Sequence, residues 1–111
     1  MKKTIVITDE RIGKGPDELG SKLMGSFLRK LCNEGRKPDA IVLYGTAVNL
    51  AADGSAVLDA LDLLTRAGVD LIVCGTCVMY YELKDKIRVG RVGDMQQLVG
   101  LLMASDSVVT L

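Results

Sequence analysis

At 111 residues, with Lys plus Arg and Asp plus Glu both counting 14, the chain has no net charge and room for one compact domain spanning residues 1–111. The charge balance, and the lack of any basic cluster interleaved with aromatics, exclude nucleic acid as an expected partner. Apolar residues make up 49% and aromatics only 4%, so the core must be aliphatic, and the surplus apolar surface predicts a homo-oligomer.

The amino terminus, Met1-Lys2-Lys3 before Thr4-Ile5-Val6-Ile7, runs too soon into Asp9-Glu10-Arg11 to be a secretory signal. No apolar run approaches the roughly 20 residues of a membrane span. The expectation is therefore a cytoplasmic chain, independent of membranes, whose three cysteines are reduced at rest.

In chain order, Thr4–Thr8 predicts a β-branched strand, followed by a polar loop from Asp9 to Gly15 that carries Arg11 and Lys14. Asp17 is the expected cap of a helix whose apolar positions, Leu19, Leu23, Met24, Phe27, Leu28 and Leu31, recur at three-and-four spacing, with Gly35 ending it. A second strand covers Ala40–Tyr44. The small, polar segment from Gly45 to Gly54 predicts a loop, and Ser55 the cap of a helix with the stripe Val57, Leu58, Leu61 and Leu64. Gly68 closes that helix just before a third strand, Val69–Val73. After Cys77 the pattern predicts a short helix through Tyr80, Tyr81 and Leu83, and then an extended piece around Ile87–Val92. Asp94 with Gln97 forms a capping-box pattern for a last helix with Leu98, Leu101 and Leu102 inward, and Val108–Leu111 supplies a final strand.

Continuous apolar strands alternating with amphipathic helices predict an α/β fold with a mainly parallel sheet covered on both faces. Ligands of such sheets bind beyond the carboxyl ends of the strands. The loops expected at that edge are Asp9–Gly15, Gly45–Ala52 and Cys74–Cys77.

The last of these carries the chemistry, Cys74-Gly75-Thr76-Cys77 at a strand-to-helix junction. Thiolate is the nucleophilic form of cysteine, and the unpaired N–H groups of a first helical turn favour negative charge. A closed zinc site would need four ligands, and the chain has no His and only Cys32 besides the pair, so no metal is expected. A thioredoxin-like dithiol matches the junction, but both prolines, Pro16 and Pro38, precede the motif, leaving none for that family's downstream cis-proline. Gly13-Lys14-Gly15 lacks the spacing and trailing Ser/Thr of a P-loop, and no cofactor is expected. Cys32, on the last turn of the first helix, reads as a packing residue, as do Tyr80 and Tyr81. Arg11 and Lys14 are candidates to hold a thiolate or an anionic acceptor.

Cys74-Gly75-Thr76-Cys77 followed by Tyr80-Tyr81 and Leu83-Lys84-Asp85-Lys86 resembles the DsrE/DsrF-like sulfurtransferases, and most closely the carboxyl-terminal domain of YedF-type proteins of selenium metabolism. Supporting matches are Gly13-Lys14-Gly15 with Asp17-Glu18-Leu19-Gly20, Phe27-Leu28, and Ala47-Val48-Asn49-Leu50 with Gly54-Ser55. The resemblance implies a three-layer α/β/α domain of flavodoxin-like architecture with five strands, and a homo-oligomer. It implies Cys74 as carrier of persulfide sulfur and Cys77 as a resolving or assisting thiol, and the candidate substrate or acceptor contacts are Arg11, Lys14, Thr76 and Asn49. It also implies a TusA-like sulfur carrier as a separate partner, because the chain begins at its first strand. Where many relatives have Arg-Gly, this chain has Tyr81-Glu82. A thiol-disulfide oxidoreductase and a non-catalytic, sulfur-binding scaffold subunit remain open alternatives.

Overall fold

A computed structural model describes residues 1–111. Five strands, β1 (Lys3–Ile7), β2 (Ala40–Leu43), β3 (Asp70–Cys74), β4 (Arg91–Gly93) and β5 (Ser107–Thr110), form one sheet in the order β4-β3-β2-β1-β5, every neighbouring pair parallel. Four α-helices connect them: α1 (Asp17–Cys32), α2 (Leu58–Arg66), α3 (Gly75–Tyr80) and α4 (Met95–Ala104). The first three crossovers step the same way across the sheet and the fourth returns to its far side. Right-handed connections therefore put α1 to α3 on one face and α4 on the other.

β2 is sealed on both faces, no residue of it more than 1% exposed, as its unbroken apolar run requires. Helix α1 packs Met24 and Leu28 fully inward, and α2 packs Ala60, Leu61 and Leu64. The other face is thinly covered: Leu98 is the one fully buried residue of α4, while Met95, Val99 and Met103 stay exposed. The capping box at α4 forms as expected, Gln97 N–H donating to Asp94 Oδ1 at 2.8 Å and Asp94 N–H to Gln97 Oε1 at 3.0 Å.

Several local expectations are corrected. Pro16, not Asp17, precedes the first turn of α1, and Asp17 lies inside the helix with no side-chain cap. Leu19 and Leu23 face water, because the sheet and α2 cover only a narrow stripe of α1. Val57 rather than Ser55 is the N-cap of α2; the Ser55 hydroxyl accepts the Val57 N–H one step earlier, at 3.2 Å. The segment expected to be an open loop holds a 3-10 helix, Gly45–Ala51, with Ala47, Val48, Leu50 and Ala51 buried. Its small residues are what let it lie against the sheet end. Helix α3 starts before Cys77, at Gly75.

Candidate functional site

The β2–β3 register runs from Ala40↔Asp70 to Leu43↔Val73. Both strands therefore reach the same edge together, and the residues after them, Tyr44-Gly45-Thr46 and Cys74-Gly75-Thr76, leave the sheet side by side. Gly75 packs so closely on β4 that a Cβ there would sit 3.2 Å from the Gly93 carbonyl. The turn from β3 into α3 thus depends on a residue without a side chain.

The two thiols differ in exposure. Cys74, the last residue of β3, is 1% exposed, walled by β2, β4 and its own helix. Cys77, one helical turn on, is half-buried and so meets solvent. Cys74, implied as the sulfur carrier, is thus hidden by its place in the strand, and Cys77 is the accessible sulfur of the pair. Helix α3, 6 residues long, opens directly after Cys74, its N-cap residue, so the strand-to-helix junction forms where expected, and a further donor, the Gly45 backbone N–H, is aimed at Cys77 Sγ at 3.1 Å.

Burial pushes the Cys77 thiol above its ordinary range, the Gly45 N–H pulls it back down, and Cys74, within hydrogen-bonding reach, pushes it up again. At neutral pH Cys77 rests as a protonated thiol. Burial first, and then Cys74 and Cys77 once they carry charge, push the Tyr44 phenol above its ordinary range.

The remaining candidates divide. Thr76 lies between the cysteines and is exposed. Arg11 is committed to carboxylates, 3.5 Å from Asp17 and 3.8 Å from Asp9, with its stem pressed onto Gly20. Asp9 also accepts from Thr46 Oγ1 at 3.2 Å, which ties the loop after β1 to the 3-10 helix. Lys14 is exposed on that loop. Asn49 turns its amide back to the Thr46 carbonyl at 3.0 Å and lines a separate cavity of about 210 Å³ with Glu10, Ser21 and Ser55. Cys32 is half-buried and donates to the Ala60 carbonyl at 3.4 Å, a packing role. No three His, Cys, Asp or Glu side chains converge where they could hold a metal ion. No helix is long and apolar enough to cross a membrane.

The family model of the DsrE/DsrF-like family matches residues 1–111. The chain belongs to the DsrE/DsrF-like family. Among solved structures it resembles the ychN protein of E. coli (18% identity, TM-score 0.74) and MTH1491 of Methanobacterium thermoautotrophicum (17%, 0.71), each match covering 100% of both chains. It also resembles BT1422 of Bacteroides thetaiotaomicron (14%, 0.65), over 99% of this chain and 95% of that one. These likenesses support the five-stranded α/β fold. No curated protein matches the chain.

Two residues beside the cysteines went unnoticed in the sequence, Tyr44 and Gly45. A signal was there: Tyr44-Gly45-Thr46-Ala47-Val48 and Cys74-Gly75-Thr76-Cys77-Val78 share Gly, Thr and Val at corresponding places after strands that pair in register. The likeness marks the two strand ends as neighbours of the same kind.

Proposed function

We propose that the protein accepts and relays persulfide sulfur, with Cys77 meeting donor and acceptor and Cys74 as the buried thiol behind it. The observation that carries this is the half-buried Cys77 sulfur at the carboxyl edge of the sheet, aimed at by a backbone N–H and backed by a second thiol. Membership in a family linked to sulfur relay supports it.

In the first step the Cys77 thiolate attacks the terminal sulfur of a donor persulfide, R–S–SH. The new S–S bond forms at Cys77 Sγ, the donor's S–S bond breaks, and its electron pair leaves on R–S⁻. In the second, an acceptor thiolate attacks the terminal sulfur of Cys77–S–SH, takes it, and returns Cys77 as thiolate. Cys74 offers a side exit: its thiolate attacks Cys77 Sγ, expels HS⁻, and closes a disulfide that a dithiol must then reduce.

The test is incubation with a small-molecule persulfide followed by peptide mapping in a mass spectrometer. Added sulfur should appear on the Cys77 peptide. Cys77→Ser should abolish loading, because a hydroxyl neither ionises at neutral pH nor holds a second sulfur. Cys74→Ser should load and keep its sulfur longer. Loading on Cys74 alone would return the carrier role to that residue, and loading on neither would remove the proposal. Reduction of insulin disulfides without loading would instead favour the dithiol oxidoreductase. Selenium is a second load to test in the same way, since the sequence resembles YedF-type proteins.

Self-association belongs to the same proposal. Met95, Val99 and Met103 on α4 and Val108 and Val109 on β5 are exposed apolar residues on a thinly covered part of the fold. Light scattering should give a mass above that of one 11.9 kDa chain. A TusA-like carrier is the proposed exchange partner at Cys77, tested by sulfur transfer between the two proteins.

A further inference from the structure

Successive N–H groups along a parallel strand point to alternate neighbours. The Tyr44 N–H donates to Ile7 O of β1 at 2.9 Å, so the Gly45 N–H faces the other way, towards β3. There the ladder has run out: Leu43↔Val73 is the last β2–β3 pair, and beyond Cys74 the chain has turned into α3. Where a strand carbonyl would have accepted, Cys77 Sγ does, at 3.1 Å.

A neutral thiol sulfur is a weak acceptor, whereas an anionic one is strong. The half-buried Gly45 amide is therefore poorly satisfied by the resting site and well satisfied once negative charge appears on Sγ. Its direction depends on its being glycine. The backbone has φ +56°, and a Cβ would lie 3.1 Å from the Thr8 carbonyl oxygen.

We propose that the Gly45 backbone amide is the charge-holding donor of this site, stabilising negative charge on Cys77 Sγ. This rests on Cys77 being the working sulfur. When an acceptor thiolate takes the terminal sulfur from Cys77–S–SH, the breaking bond leaves its electron pair on Sγ, the atom that the amide faces. The same contact favours the thiolate that attacks the donor. The amide adds no proton and forms no covalent bond; it lowers the cost of charge at one atom, as an oxyanion-hole donor does for oxygen.

The experiment is alkylation of the full chain by iodoacetamide across pH, with the Cys77 peptide followed by mass spectrometry. Gly45→Ala should react about tenfold more slowly at neutral pH, with its midpoint moved to higher pH, because one hydrogen bond to a charged group is lost. Gly68→Ala is the strain-matched control. Gly68 also has positive φ, +101°, but has nothing within 4 Å of its added Cβ and lies at the opposite edge of the sheet. Its profile should superimpose on wild type. A folded Gly45→Ala protein with an unmoved midpoint would overturn the proposal. If that variant does not fold, the wild type decides. The Gly45 amide resonance should follow the ionisation of Cys77 and lose this titration in Cys77→Ala, and an amide that ignores it would overturn the proposal equally. A protein that passes these tests but gains no sulfur keeps the role of Gly45 and loses only the relay.

Discussion

Glu82 is the one residue other than glycine with positive φ, +57°, and it sits just past the helix that carries Cys77. The Leu83 N–H donates to Val78 O at 2.9 Å and the Glu82 N–H to Met79 O at 3.2 Å, which is the Schellman closure of a helix, with buried Leu83 over buried Val78. Glycine is the usual residue at that left-handed position. Left-handed backbone costs an L-residue roughly 1–2 kcal/mol, while glycine's freer unfolded chain takes back roughly 0.4–1 kcal/mol. Glu82→Gly should therefore stabilise the protein by about 0.5–1 kcal/mol, or about 2–4 °C in Tm for a domain of this size. Urea unfolding followed by circular dichroism would measure it as a higher midpoint at unchanged slope. Glu82→Ala keeps the Cβ and its penalty while removing the same charge from the helix end. An equal gain in Glu82→Ala and Glu82→Gly would refute the backbone argument and assign the effect to the carboxylate.

In the native protein iodoacetamide should label Cys77 before Cys74, and urea should erase the difference; fastest labelling at Cys74 would contradict the burial described above. Burial and Cys74 hold the Cys77 thiol protonated beyond its ordinary range, so the folded state binds that proton more tightly than the unfolded chain. The resulting stability is fully present below the ordinary thiol range and is lost as pH rises through the higher folded value, and Cys77→Ala should flatten this alkaline decline. Of the three tyrosines, Tyr44 should ionise last in a phenolate absorbance titration, and Tyr44→Phe should remove the late step; a late step that survives the substitution would belong to Tyr80 or Tyr81. Leu98→Ala should cost about 2–5 kcal/mol in urea unfolding, because Leu98 is the one buried side chain of α4, and a cost under about 1 kcal/mol would mean that α4 is held by its caps instead.

The sheet was legible because its central strands are apolar without interruption, Ala40–Tyr44 and Val69–Val73, a pattern that only burial on both faces explains. The capping box at Asp94 and Gln97 was legible because it is purely local. The 3-10 helix was not, since Gly45-Thr46-Ala47 reads as a turn and its burial comes from packing on β3 and α3. The exposure of each cysteine was hidden for a related reason: what covers Cys74 lies on β2 and β4, far away in the chain. A backbone N–H has no letter in the sequence, so Gly45 became visible only once the strand register was known.

That register also explains why the site forms at Cys77 and not at its counterpart. Shifted by the pairing of Leu43 with Val73, Ala47 corresponds to Cys77, Gly45 to Gly75 and Tyr44 to Cys74. The two chains part company at the glycine. Gly45 takes φ +56° and turns its segment into a 3-10 helix that buries Ala47 completely, whereas Gly75 has no positive φ and opens α3, which keeps Cys77 partly in solvent. One strand end thus gives up a backbone donor and the next supplies the sulfur that receives it. A thiol at position 47 would be sealed from any partner, and the accessible thiol and the N–H aimed at it come instead from the ends of neighbouring strands. The site is therefore a product of parallel pairing, and a one-residue slip of β2 against β3 would separate Gly45 from Cys77 while turning every core side chain of the strand to the opposite face.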